Sequence, residues 1–454
     1  MNQTKEVSTL LGDPKKAVLK MSIPMIIAMI INSLYAFIDG VWVAGLGDMA
    51  LAAIGFVNPV YMVIFGIANG LGAGATAVIS KYIGAQDKKE ADNSAMHVLI
   101  LTIILSLIFT ILVLIFLKPI LLAMGAGPTV NLGLEYGNIF FLGTIFIIFP
   151  TTAFGILRAE GNVIKTTYAM VAGAVLNIIL DPIFIYTLNL GVAGAAYASI
   201  LSMALVSIIL SYWFINSTYI DFNFKEFIYK NKLIKEILNI GIPGSLEFFF
   251  ISILAMTLNG ILMIVSGVDG VAVYTGGWRF VGVIMVIPIA IGTSTIAIAG
   301  ANYGAGKFKN VEIAHSYGIK FATLIVLLIS VAIIILAPYI SYLFAYSPGS
   351  ERLLEPMIVF LRITCLFNLL FPLGIVSTSV FQGLGKGLNS LIAVFIRALV
   401  LQVVFSYVFA ISFGLGEIGV WLGIVVGNGL GGIIAYMWSK MYIKKLIREN
   451  EDKT

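Results

Sequence analysis

Residues 94–117 read SAMHVLILTIILSLIFTILVLIFL, without a single Asp, Glu, Lys or Arg. As an α-helix this stretch would be about 36 Å long, enough to cross a hydrocarbon layer about 30 Å thick. Its apolar residues do not alternate with polar ones, so it is not a strand of a membrane β-barrel. Working outward, eleven further apolar segments follow the same pattern: 18–44, 52–78, 136–157, 166–188, 192–216, 239–265, 271–294, 317–344, 356–379, 388–412 and 417–439. The chain of 454 residues is 60% hydrophobic and only 11% charged, with a mean hydropathy of +1.05. A soluble protein of this size could not bury that much apolar surface. The expected fold is an all-α polytopic membrane protein with twelve transmembrane helices. The first twenty residues carry Lys5, Glu6, Asp13, Lys15, Lys16 and Lys20 and are too polar for a signal-peptide core, so the first segment is expected to be retained as a span.

Twelve spans put both termini on one side, and the basic residues say which. With the N-terminus inside, only Lys118 and Arg352 fall in outer loops, and Arg279, Arg362 and Arg397 fall within spans. The remaining Lys and Arg flank inner span ends, which predicts a multi-pass protein of the cell membrane with cytoplasmic N- and C-termini. The net charge of +5 therefore reflects cytoplasmic loops in contact with a lipid bilayer, and no nucleic-acid partner is expected. The basic tail Lys440 to Arg448 is expected to meet anionic headgroups. Cys365 is the one cysteine, so neither an intrachain disulfide nor a Cys-based metal site can form.

The charged stretch 217–238 divides the chain into an N-lobe, 1–216, and a C-lobe, 239–454, of six spans each. The lobes share landmarks about 220 residues apart. Ser22-Ile23-Pro24 corresponds to Gly241-Ile242-Pro243, and Gly72 to Gly84 corresponds to Gly292 to Gly304. An even number of spans per repeat makes the repeat parallel, giving two pseudo-symmetric six-helix bundles and transport by rocking of the bundles. Such lobes suffice in a monomer.

The repeat breaks at two acids. Asp39 falls opposite Asn259, and Asp181 falls opposite Ser406. A carboxylate at membrane depth is costly and faces a cavity, pairs, or binds an ion. One turn before each acid, on the same helical face, stand Tyr35 and Asn177. Ser199 in the sixth span adds a hydroxyl. Hard oxygen donors from Asp39, Asn177, Asp181 and Ser199 suit Na⁺. The same two carboxylates could instead share one proton. Both coupling ions stay open at this point, and no cofactor is expected. Pro24 opens the first span and Pro182 follows Asp181, and either can bend its helix.

Other candidates lie elsewhere. Glu247, four residues after Pro243, reads either as a further coupling or substrate-binding carboxylate or as the partner of an intramembrane Arg. Arg279, Arg362 and Arg397 could line a cleft and attract an anion. Tyr136, Phe154 and Trp278 could stack on a flat or cationic ligand. His97 and His315, at inner span ends, are expected at the surface. Gly70-x-Gly72-x-Gly74 lies inside a span with no strand before it, so it is no nucleotide loop, and no Walker sequence occurs. Neither an enzyme's catalytic constellation nor a channel's pore loop is visible.

These residues carry a resemblance. Gly155-Ile156-Leu157-Arg158-Ala159-Glu160-Gly161-Asn162, Asn177-Ile178-Ile179-Leu180-Asp181-Pro182, Gly191-Val192-Ala193-Gly194-Ala195-Ala196, Pro24 and Gly241-Ile242-Pro243 all match one family. Over its whole length the chain resembles multidrug and toxic compound extrusion (MATE) transporters, especially the prokaryotic branch of DNA-damage-inducible and archaeal members. The resemblance implies two six-helix lobes and export of small organic cations in exchange for Na⁺ or H⁺. It implies an N-lobe site at Pro24, Tyr35, Asp39, Tyr136, Asn177, Asp181 and Ser199, where Ser199 keeps the hydroxyl of the Thr often found there. Glu247 resembles an acidic residue used in span seven by another branch, about one turn closer to the proline. Substrate would lie between the lobes against aromatic and Met side chains, in a cavity including Pro24, Tyr136, Phe154, Trp278, Glu247 and Arg279. The alternative is a flippase for a lipid-linked saccharide or peptidoglycan precursor, with Arg279, Arg362 and Arg397 lining a basic cavity.

Overall fold

The computed structural model describes residues 4–342 and 351–452. Leu343 and Phe344, the end of the expected ninth span, lie outside the described residues. The helices in chain order are α1 (Lys5–Leu11), α2 (Pro14–Ala44), α3 (Asp48–Gly84), α4 (Lys88–Ala123), α5 (Val130–Leu142), α6 (Thr144–Ala159), α7 (Val163–Pro182) and α8 (Gly191–Asn216). After a charged connection come α9 (Asn231–Gly304), α10 (Phe308–Tyr342), α11 (Leu354–Gly383), α12 (Gly387–Phe395), α13 (Val403–Tyr407) and α14 (Gly416–Glu451).

Among the described residues, ten helices are each long and apolar enough to cross a membrane. The pair Gly127–Leu142 and Thr144–Ala159, bent by 49°, makes an eleventh span. The twelfth is folded into α9, whose 74 residues break at Gly267 with φ 62° and ψ −150°. Unbroken, α9 would be about 110 Å long, several times the thickness of a hydrocarbon core. Only glycine adopts that backbone conformation without strain, so Gly267 turns one helix into spans seven and eight. The helices overrun the apolar segments at most ends. The last one continues through the basic tail to Glu451, because Lys and Arg favour helix as well as apolar residues do.

The chain forms two compact units. The first comprises Met1–Leu10 and Ile23–Ser245, the second Leu11–Ser22 and Leu246–Thr454. The chain thus changes unit inside α2, next to Pro24, and inside α9, two residues after Pro243. In the first unit Val57, Ile64, Leu117, Phe140, Phe141 and Ile148 build the core from α3 to α6. There α3 and α6 approach closely, since a Cβ on Gly155 would collide with the Gly72 carbonyl. In the second unit Leu258, Leu262, Val273, Phe360, Trp421 and Ile424 of α9, α11 and α14 form the core. Gly423 lies against Ser406 and Gly431 against Arg397, again with no room for a Cβ.

Two expectations fail. His97 and His315 are 2% and 0% exposed, not at the surface. His97 is covered by the connection 217–230. His315 is packed between α10, α11 and α14, where its Nε2 lies 2.9 Å from Ser377 Oγ and 3.3 Å from Ser439 Oγ. The His315 helix begins before its apolar segment, at Phe308, so that imidazole lies inside helix contacts.

Candidate ion-coupling site

In the first unit four helices converge on the acids. Asp39 stands on α2 and Asp181 on α7, and the two carboxyl groups lie within hydrogen-bonding reach of each other. Asp181 is fully buried, and among the described residues its Oδ1 has no hydrogen-bond partner. Asn177, one turn earlier and 1% exposed, donates from Nδ2 to Asp181 Oδ2 at 2.7 Å when its amide is turned to satisfy both ends. In that orientation its oxygen accepts from the Ser199 backbone N–H at 3.2 Å. Ser199, on α8, lies beside the Tyr136 phenol of α5. Tyr35 lies in the field of both carboxyls and of Tyr136.

The main chain around Asp181 explains how α2 and α7 are held in register. Pro182 lacks the N–H that would bond Ile178, and the chain continues as a wide π-helical turn over Ile183–Thr187. That turn projects Tyr186, whose hydroxyl donates to the Trp42 carbonyl of α2 at 2.6 Å. Gly45 and Gly194 make room, because a Cβ on either would strike the turn or Tyr186 itself.

One further member has no signal in the sequence. Tyr61 of α3 lies electrostatically close to Tyr35 and Tyr136. Its ring packs edge-on against Phe140 at 5.7 Å, and Phe140 stacks on Tyr136 at 5.3 Å. A lone tyrosine in an apolar run looks like any packing aromatic. Pro24 lies about four turns from Asp39 along α2, too far to touch it. Phe154, half-buried on α6, makes no hydrogen-bond, ring or charge contact with this set among the described residues.

The second unit holds a different cluster. Glu247 accepts from Ser390 Oγ at 2.6 Å and from Gln382 Nε2 at 3.1 Å. Arg397, 5% exposed on a π-helical turn over Ile396–Gln402, donates to Asn428 Oδ1 at 3.1 Å. It also lies 5.3 Å from the Phe371 ring centre and is attracted to Glu247 through space. Glu247 is thus bonded to neutral donors, and the guanidinium serves as its counter-charge at longer range. Trp278 belongs to the apolar core, packed on Tyr274 at 5.3 Å and Phe367 at 5.4 Å. Arg279 and Arg362 are exposed. Ser406, opposite Asp181 in the repeat, donates to the Val420 carbonyl at 3.2 Å.

Outside the spans, Glu160 is 2% exposed and accepts from the Tyr219 N–H at 2.8 Å. Burial pushes its carboxyl up to about 7, although that bond, the nearby Lys165 charge and other hydrogen bonds oppose the rise. The folded chain therefore holds this proton more tightly than the unfolded chain, whose carboxyl titrates at 4.5. The stabilisation is complete below pH 4.5 and is lost as pH rises through about 7, a change of about 3 kcal/mol. Glu160→Gln is expected to flatten that slope and raise the melting temperature at pH 8, read by thermal unfolding across pH.

The donors at Asp39 and Asp181 are all oxygens, and one buried carboxylate oxygen has no partner among the described residues, so the set fits a small hard cation or a shared proton. Among the described residues no group of three or more His, Cys, Asp or Glu is placed to hold a metal ion.

The MatE family model matches residues 24–183 and 243–408, so each match opens on one of the two prolines beside a unit crossing. The chain belongs to the MatE family. As a MatE protein it is a multi-pass membrane transporter for small molecules and not an enzyme. The multidrug export protein MepA of Staphylococcus aureus is 26% identical over 435 residues, which are 95% of this chain and 91% of that protein. An outward-facing multidrug resistance MATE family transporter of the MOP superfamily is 42% identical, with a TM-score of 0.96 over 99% of this chain and 100% of that one. A MOP superfamily transporter from Pyrococcus furiosus, whose reversed binding-pocket polarity suggests a different function, is also 42% identical, with a TM-score of 0.96 over 98% of this chain and 99% of that one.

Proposed function

We propose that this MatE chain is a multidrug efflux antiporter. It exports small organic cations across the cell membrane in exchange for Na⁺ or H⁺, by alternating access of two six-helix lobes joined at 217–238, with both termini cytoplasmic. The carrying observation is the Asp39–Asp181 pair, in which Asp181 is fully buried and Asp39 half-buried. Two carboxyl groups within hydrogen-bonding reach cannot both stay ionised in an apolar setting unless a cation sits with them, so loading and release of one positive charge is the chemistry this site offers. In this reading Asp39 and Asp181 take the ion, Asn177 and Ser199 complete its shell, and Tyr35, Tyr61 and Tyr136 close the surroundings. Loading also changes what α2 packs against, and Pro24 is the place where that helix can bend.

The name of MepA supports the substrate class. The flippase alternative asks for a basic cavity built from three arginines. Arg397 is instead packed against Asn428 and Phe371, which weakens it.

The test is efflux of a cationic dye from proteoliposomes under an imposed Na⁺ gradient and, separately, a pH gradient. Antiport predicts dye movement under one of them. No movement under either would remove the cation-antiport reading for that dye class and return weight to a lipid-linked substrate.

A further inference from the structure

The charged connection after α8 is held tightly to the first unit. Asp92 Oδ1 accepts from the Asp221 N–H at 2.9 Å, beside the Glu160–Tyr219 bond. Asn93 Nδ2 donates to the Ile228 carbonyl at 2.7 Å, and its Oδ1 accepts from the Ile228 N–H at 3.3 Å. One turn further along α4, His97 Nε2 accepts from the Lys230 N–H at 3.0 Å. Its Nδ1 faces the Asn93 carbonyl at 2.7 Å, which fixes the neutral Nδ1–H tautomer. The strap is therefore gripped by its backbone, through side chains that are 9% and 2% exposed.

A backbone grip decides where the side chains go. The Phe227 ring lies on His97 at 4.9 Å and the Tyr229 ring at 6.0 Å, yet Ile228 and Tyr229 remain 62% and 67% exposed. Close in sequence to this apolar pair are Lys225, Lys232 and Lys235, all exposed, against one exposed acid, Glu226. Lys232 reaches Glu236 only at 3.9 Å, and among the described residues Lys225 and Lys235 form no ion pair. The strap follows the end of one span and ends one residue before the next helix, so it lies at the rim of the bilayer. Exposed apolar side chains near exposed lysines at that depth match a headgroup layer: the Tyr ring favours the interface, Ile the acyl boundary, and Lys the phosphates.

We infer that residues 225–235 form an interfacial anchor in which Ile228 and Tyr229 enter the bilayer surface and Lys225, Lys232 and Lys235 contact the phosphates of anionic phospholipids. Because Asn93 and His97 tie this segment to α4, the anchor fixes the depth at which α9 begins.

The test uses Ile228→Cys in a Cys365→Ala background, labelled with an environment-sensitive fluorophore and checked for a monodisperse, folded species. The protein is placed in phosphatidylcholine vesicles with and without phosphatidylglycerol. A nitroxide on the lipid chains is expected to quench the label several-fold more than aqueous iodide does, and phosphatidylglycerol should increase the difference. Lys225→Gln, Lys232→Gln and Lys235→Gln together should abolish that dependence. Iodide quenching as strong as for free dye in both mixtures would overturn the anchor. So would protection from both quenchers, which would show the strap covered by protein. Lipid quenching unaffected by phosphatidylglycerol or by the Lys variants would overturn the anionic-lipid part. Neither readout involves transport, so the result stands apart from the antiport reading.

Discussion

Asp39→Asn and Asp181→Asn are each expected to abolish gradient-driven dye efflux while leaving the folded protein intact. Two like charges about 4 Å apart repel by about 4 kcal/mol at the effective dielectric near a protein surface, and by more in an apolar interior. The empty pair is therefore unstable with both groups ionised, and capture of one cation or proton relieves it. Replacing either acid by Asn keeps the size and most hydrogen-bonding capacity but removes the repulsion that drives capture. A hydrogen bond or contact to a charged group is worth about 1.5–3 kcal/mol, so ion affinity should fall about 10- to 100-fold. Asn177→Ala should act in the same direction but less strongly, because it strips one donor from Asp181 Oδ2 and leaves both charges. Proteoliposome flux under the driving gradient reads all three variants. Efflux at the wild-type rate in both Asp variants would refute the site and leave Glu247 as the next carboxylate to test.

The membrane spans were legible because burial in lipid acts on whole segments: 94–117 has no Asp, Glu, Lys or Arg to face hydrocarbon. The pairing of Tyr35 with Asp39 and of Asn177 with Asp181 was legible because helical spacing is local. What was hidden depends on contacts between helices. Tyr61 joins the site only through Phe140 and Tyr136, and nothing within α3 marks it. The Tyr186–Trp42 bond needs a π-helical turn, which Pro182 permits but no sequence pattern announces. His97 looked like a surface residue because the strap that covers it lies more than a hundred positions away and is held by backbone groups, which leave no mark on side-chain composition. The break at Gly267 was readable only as a loop. That the helix resumes almost at once follows from the apolar run on both sides.

Arg397→Met is expected to destabilise the second unit. The guanidinium is the counter-charge of Glu247 and the donor to Asn428 Oδ1, and Gly374 and Gly431 shape the space it fills. Met matches much of its volume but not its charge, so the packing survives while the half-buried Glu247 keeps only its neutral donors. Losing the bond to Asn428 and the longer-range attraction to Glu247 costs about 1–3 kcal/mol, which shifts the melting temperature by several degrees. Arg397→Lys should be intermediate, since an ammonium keeps the charge but cannot both reach Asn428 and lie flat on Phe371. The double variant Arg397→Met with Glu247→Gln removes both charges and should recover much of the loss. Additivity within about 0.5 kcal/mol would show that the two residues do not interact. If the doubly neutralised protein still moves dye under the driving gradient, the energy-converting charge lies in the first unit alone, and the carboxylate of the second unit serves to hold α9, α11 and α12 together. If stability returns but driven transport does not, Glu247 takes part in exchange despite its two neutral donors, and each unit carries a working acid.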